Sequence, residues 1–166
     1  MTDKLVIIGG VAGGATAAAR ARRLNESAEI IVFERGEYIS FANCGLPYYI
    51  GEVIKNRDDL LVTDADSFST RYRIDVRSFS EVLDIDRQAR QVVVKNHQTR
   101  EAYRESYDKI ILSPGAEPIR PPFEGMDADN IFTLRNIPDT DRIKANVDQQ
   151  KPRTAVIVGG GFIGLE

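Results

Sequence analysis

KLVII at residues 4–8 runs into GGVAGG at 9–14 and then into ATAAARARRL at 15–24. The order of these three pieces decides the fold. A short apolar run bounded by glycines reads as a buried strand of a parallel sheet. The glycines form a turn, and the Ala- and Arg-rich stretch from Gly14 to Leu24 holds no breaker, so a helix follows. EIIVF at 29–33 is a second buried strand, ending beside Glu34. Strand, helix and strand within about 30 residues form a right-handed βαβ crossover.

Glycines in such a turn let backbone amides approach a pyrophosphate, and the helix N-terminus adds partial positive charge. Gly9 and Gly14 stand in G-x-G-x-x-G register, with Val11 in place of the middle glycine. Glu34 follows Gly14 by 20 residues and is placed to accept hydrogen bonds from a ribose diol. An acidic residue there favours a ribose without a 2′-phosphate, as in FAD or NAD. The alternative is a glycine-rich structural turn in an α/β protein.

Further along, a short helical pattern covers Cys44 to Ile50. Thr63 with Asp66 resembles a capping box that opens a helix to about Arg73. Residues 80–86 and 91–96 alternate apolar and polar around a hairpin turn, within an antiparallel three-stranded meander near Asp75 to Tyr107. Lys109 to Leu112 is another strand, stopped by Ser113-Pro114-Gly115, and a Pro-rich connector runs to Pro122. Pro138 suits the first turn of a helix reaching about Gln149. Thr154 to Val158 reads as a final buried strand. It feeds Gly159, Gly161 and Gly164, a full G-x-G-x-x-G suited to an NAD(P)H pyrophosphate.

The chain has 166 residues, 42% hydrophobic and 28% charged, which argues against disorder and against a collagen-like chain. Its net charge of −3 gives no basic field for nucleic acid. No apolar run approaches the roughly 20 residues of a membrane span. Cys44 is the only cysteine, so no internal disulfide forms, and without a secretory signal a reducing, cytoplasmic setting is expected. No His/Cys cluster suggests a metal. His97 reads as a solvated loop residue without an organised partner rather than a catalytic base.

SFANCGLPYYI at 40–50 is the most specific stretch. Cys44 falls where a helix begins, so the dipole would favour its thiolate. Gly45 permits close approach of a flat ring or a bulky thiol. Thr16, Arg20 and Arg23 lie at i, i+4 and i+7 on one helix face, with Arg22 elsewhere. A hydroxyl and two guanidiniums there suit a phosphate-rich ligand.

The segment resembles that of the coenzyme A-disulfide reductases and the related coenzyme A-persulfide reductases and NADH oxidases. These are single-cysteine flavoprotein disulfide reductases. FERGEYISFANCGLPYYIGE, YDKIILSPGAEP, TLRNIPDTDRIK and VIVGGGFIGLE follow GGVAGG in the family's order. The resemblance implies an α/β, Rossmann-like FAD-binding domain of three layers (ββα) with a β-meander, and Cys44 as the redox thiol. It places FAD against Gly9, Gly10, Val11, Ala12, Gly13, Gly14, Glu34, Arg35, Asn43, Ser113, Pro114 and Gly115. It places NAD(P)H at Gly159, Gly161, Phe162 and Gly164. Coenzyme A contacts map to Thr16, Arg20, Arg23, Ser40, Asn43 and Tyr72; Arg20 stands where some members carry glutamine, and Tyr72 at a position that bears lysine.

The reaction implied is NAD(P)H-dependent reduction of coenzyme A disulfide or persulfide by a homodimer. Oxygen reduction through a Cys44 sulfenic acid and a non-catalytic FAD-binding fragment are the alternatives. In the family the FAD domain is split, so residues 1–150 are expected to be its first segment and 151–166 the start of the NAD(P)H domain. A chain cut there is expected to bind FAD weakly and to lack turnover.

Overall fold

The computed structural model describes residues 3–165. In chain order the elements are β1 (Lys4–Ile8), α1 (Ala12–Leu24), β2 (Glu29–Phe33), α2 (Leu46–Ile50), α3 (Ala65–Tyr72), β3 (Asp75–Arg77), β4 (Ser80–Asp86), β5 (Gln91–Asn96), β6 (Ala102–Ser106), β7 (Lys109–Leu112), α4 (Ile137–Gln150) and α5 (Phe162–Leu165). They divide between two compact units. One is Met1–Phe41 with Leu61–Gly115, the other Ala42–Leu60 with Ala116–Glu166.

The first unit is built on a parallel sheet in the order β3-β2-β1-β7. Val6 and Ile7 are adjacent and both fully buried, so β1 is covered on both faces, as its unbroken apolar run requires. Ile7, Ile30 and Val32 face α1 and α3 across Ala15, Ala18, Ala19 and Phe68. Val6, Ile31 and Phe33 face the other way, onto Val92 and Val94 of the antiparallel sheet β4-β5-β6 and onto Tyr107 just after β6. The result is three layers: helices, parallel sheet, meander. Full burial of each large aliphatic or aromatic side chain contributes roughly 1.5–3 kcal/mol.

Charge bridges the edge of this sandwich. Arg77 of β3 bonds Asp75 (2.8 Å), the Tyr103 hydroxyl (3.1 Å) and Glu105 of β6 (2.7 Å). Lys4 of β1 also bonds Glu105, at 2.6 Å. Arg22 plays a different part. It is only 9% exposed, and its guanidinium donates to the carbonyls of Glu26 and Ala28 and to those of Tyr72 and Arg73. The end of α1 is thereby fastened to the end of α3.

In the second unit Leu46, Leu60, Ile137 and Thr140 are buried. Asn136 caps α4 by accepting from the Asp139 amide at 2.9 Å, with proline in the first turn. Arg57–Asp141 (2.8 Å) and Lys144–Glu52 (3.0 Å) join α4 to the α2 region. Among the described residues no helix is long and apolar enough to cross a membrane.

Four expectations are corrected. The helix after the glycine turn begins at Ala12, not Gly14. The cap of α3 is Asp64, which accepts from Ser67 N (2.8 Å) and Ser67 Oγ (2.7 Å), not Thr63 with Asp66; Asp64 holds the extended backbone that a cap needs. Asp75–Arg77 does not open the meander but pairs in parallel with β2, its Asp75 and Arg77 side chains turned to the edge charges. Thr154–Val158 is neither a strand nor buried: it is irregular, and Val158 is 90% exposed. The described residues of that unit contain no strand with which its backbone could pair.

Arg22→Ala leaves several carbonyls without their charged donor. It should lower unfolding free energy by about 2–4 kcal/mol in a urea titration. Arg22→Lys should recover less than half, since one ammonium cannot span the same carbonyls. Burial raises the Glu105 pKa, but the bonds from Lys4 and Arg77 outweigh it and hold the carboxyl below its ordinary 4.5. Its contribution is therefore present above about that pH and lost as pH falls through the lowered value. Glu105→Gln should remove this part of the acid sensitivity, read as a flatter stability curve below pH 4.5.

Candidate functional site

The carboxyl ends of β1, β2 and β7 converge on the glycine turn. Gly9 N donates to Phe33 O and Ser113 N to Ile8 O, both at 2.8 Å. Gly9 has φ +96°, a conformation L side chains rarely adopt. A Cβ on Gly9 would collide with the Ser113 carbonyl, and one on Gly14 with the Gly9 carbonyl. Gly10 and Gly13 are also close-set, with a Cβ meeting Ile39 Cγ2 at 2.9 Å and Ser113 Oγ at 3.2 Å. Val11, the residue before α1, offers no side-chain cap. Helix α1 thus begins with no side-chain cap on its first-turn amides, beside a backbone packed too closely for side chains at 9 and 14, a setting suited to an anion such as pyrophosphate.

Glu34 accepts from Gly10 N (2.8 Å) through Oε2 and from Gly36 N (2.9 Å) through Oε1. The carboxylate locks the turn to the loop after β2 and keeps acceptor capacity on each oxygen for a ribose hydroxyl. Beside it opens a cleft of about 130 Å³, lined by Gly9, Glu34, Arg35, Pro114 and the start of β4 at Ser80–Val82. These residues fit a dinucleotide: cradle, ribose acceptor and a recess next to it. Ser113 and Gly115 flank Pro114 in the chain, Gly115 with φ +73°.

Cys44 belongs to the other unit. It is exposed, in a 3-10 turn at Asn43–Gly45, with Asn43 also exposed. The α-helix beyond is only Leu46–Ile50, too short to supply the dipole expected from the sequence. Gly45 is not an opening for a ligand: it is buried, and a Cβ there would press Leu60 Cδ2 at 3.0 Å and Ile54 Cδ1 at 3.2 Å. Its role is to seat the turn on the hydrophobic core, leaving the thiol outside.

Thr16, Arg20 and Arg23 are all exposed on α1, opposite the buried stripe Gly14, Ala15, Ala18, Ala19 and Arg22. Ser40 has φ +47°; its amide donates to Gly10 O at 3.1 Å and its carbonyl accepts from Val62 N at 3.0 Å. Tyr72 is half-buried, its ring 4.8 Å from that of Phe68, with the Arg71 guanidinium over it. In the second unit, Gly159 has φ +109°, and a Cβ on Gly164 would collide with the Gly159 carbonyl, as at Gly14 and Gly9. Phe162 is 92% exposed.

Sequence reading missed Glu81 and His97. His97 is an exposed turn residue, as expected, but it does have a partner: Nε2 lies 2.9 Å from Glu81 Oε2. The hairpin register carries the signal, because Ser80 pairs with Asn96, which puts residue 97 beside the strand's start. Among the described residues no group of three or more His, Cys, Asp or Glu is placed to hold a metal ion.

The sequence pattern of the pyridine nucleotide-disulphide oxidoreductases matches residues 3–166. The coenzyme A disulfide reductase of Staphylococcus haemolyticus is 46% identical over 163 residues, covering 98% of this chain and 36% of that protein. The crystal structure of reduced Bacillus anthracis CoADR-RHD is 57% identical with TM-score 0.97, over 99% of this chain and 30% of that one. The NAD-dependent persulfide reductase of A. fulgidus is 34% identical with TM-score 0.91, over 98% of this chain and 30% of that one. The chain spans about a third of the length of the curated relatives it matches.

Gly14→Ala should destabilise the chain by roughly 3 kcal/mol or more, because backbone must move to admit the methyl group. Gly13→Ala, with only a serine hydroxyl in the way, should cost about 1 kcal/mol or less. Thermal denaturation of both variants checks the ranking.

Proposed function

This chain belongs to the pyridine nucleotide-disulphide oxidoreductase family, and on that premise we propose that it forms the flavin-holding N-terminal part of an NAD(P)H-dependent coenzyme A-disulfide or -persulfide reductase. The observation that carries the reading is an exposed Cys44, the only cysteine, in a chain 46% identical to a coenzyme A disulfide reductase. Residues 1–150 are proposed as the first segment of an FAD domain and 151–166 as the start of the NAD(P)H domain. The activity is proposed of a homodimer of the relatives' length in a reducing, cytoplasmic setting. These residues alone are proposed to hold the flavin weakly and without turnover.

FAD fits the turn described above: Gly9–Gly14 and the first amides of α1 would take its pyrophosphate and Glu34 its ribose. Arg35, Asn43, Ser113, Pro114 and Gly115 would line the rest. Gly159, Gly161, Phe162 and Gly164 would receive NAD(P)H. When bound, FAD supplies the two-electron link between NAD(P)H and sulfur. Thr16, Arg20, Arg23, Ser40, Asn43 and Tyr72 are the proposed coenzyme A contacts, the two arginines meeting its phosphates.

Cys44 does the sulfur chemistry. Its thiolate attacks one sulfur of the coenzyme A disulfide, forms a Cys44–coenzyme A disulfide and expels the other coenzyme A as thiolate. Two electrons and a proton then cleave the mixed disulfide, releasing the second thiol and restoring Cys44. The exposed 3-10 turn gives a bulky disulfide access to the sulfur.

In the whole protein, Cys44→Ser should lower anaerobic coenzyme A-disulfide reduction by more than about a thousandfold. FAD content should stay unchanged, since Cys44 is not part of the glycine cradle. Undiminished turnover overturns the reading. Loss of oxygen-dependent NADH consumption, with no coenzyme A-disulfide turnover in the unsubstituted protein, assigns the thiol to an oxidase instead.

A further inference from the structure

His97 is the only histidine in the chain. It is held at two points: its amide donates to Phe79 O at 2.7 Å, and its Nε2 meets Glu81 Oε2 at 2.9 Å. The strand it grips is fixed in turn to the end of β2, through Ser80 N to Glu34 O (2.8 Å) and Phe79 N to Gly36 O (2.9 Å). Glu81 therefore stands on the wall of the cleft that also contains Gly9, Glu34 and Arg35.

An anionic dinucleotide entering this cleft meets two carboxylates, Glu34 and Glu81, and one guanidinium, Arg35. A protonated imidazole on Glu81 offsets one of those negative charges without adding a group to the cleft. Other charged groups lie on the same hairpin and its following turn. Lys95 is opposite Glu81 in the hairpin register, and Arg100 and Glu101 lie in the turn between β5 and β6. An imidazole is the side chain whose charge ordinarily changes between about pH 5.5 and 7.5.

We infer that His97 is a positioning residue for dinucleotide binding: it holds the Glu81 carboxylate on the cleft wall and, when protonated, offsets its charge, so that affinity falls as pH rises. The inference rests on the proposed FAD role of the cleft. The pair is partly exposed, at 41% and 33% for the two side chains, so the effect is modest. Such pairs correspond to roughly a two- to fivefold change in affinity.

FAD titration of the full chain by flavin fluorescence tests it. The dissociation constant should rise about two- to fivefold from pH 5.5 to 7.5 in the unsubstituted protein. It should be flat in both His97→Gln and Glu81→Gln. A merely structural His97 would shift stability while leaving the pH slope in place. A second readout uses the single imidazole proton resonance. FAD should raise its titration midpoint in the unsubstituted protein but not in Glu81→Gln. A flat unsubstituted profile, or an unchanged slope in His97→Gln, overturns the inference while leaving the FAD role standing. No FAD binding at either pH overturns both.

Discussion

Backbone packs directly on backbone at the carboxyl end of β1. The Ser113 carbonyl lies where a Cβ on residue 9 would project, and the Gly9 carbonyl where one on residue 14 would project. This contact brings α1 down onto the strand end and β7 alongside it. The consecutive β1 and α1 thus share one edge with β7, which is distant in sequence. Gly10 N then lies within 2.8 Å of Glu34, which in turn reaches Gly36. The candidate cradle, the placement of Glu34 and the cleft are consequences of two glycines that tolerate no substituent. A ligand at such an edge would meet amides and carbonyls fixed by the sheet, so little ordering would be left for binding to cost.

The helix that this contact positions has to be narrow on its inner side. Gly14, Ala15, Ala18 and Ala19 form that side, and Arg22 ends it with a guanidinium spread over carbonyls from two chain segments. The stripe sets the helix rotation. Once Ala15 and Ala18 face the sheet, Thr16, Arg20 and Arg23 must face solvent. Arg22 and Arg23 are neighbours in sequence with opposite surroundings: one fastens helix ends, the other is exposed to solvent. Their difference comes entirely from the 100° step between successive residues.

Local and periodic signals were legible in the sequence. β1, β2 and the β4–β5 hairpin lie at their expected bounds because continuous apolar runs and strict alternation carry their own evidence. What depends on distant partners was not. Asp75–Arg77 is short and charged, and only Phe33, Tyr103 and Glu105 in place around Arg77 explain why it leaves the meander for the parallel sheet. The partnership of His97 with Glu81 needed the hairpin register rather than the composition of KNHQTR. At Gly45 the residue type was read correctly as a close approach, but the approaching groups are Leu60 and Ile54 of the core.

The two glycine turns separate these effects within one molecule. Gly9 and Gly159 both take positive φ, and in both turns the sixth residue admits no Cβ against the first carbonyl. The turn geometry is therefore set by a few residues of local sequence. The segments before the turns differ: β1 is paired on both sides, while Val156, Ile157 and Val158 are exposed and irregular. A buried parallel strand exists only where neighbours satisfy its amides and cover its side chains, and apolar content cannot supply neighbours. A glycine motif is thus evidence for the turn and for the helix start that follows it. Whether the preceding run is a strand is decided by the sheet it joins.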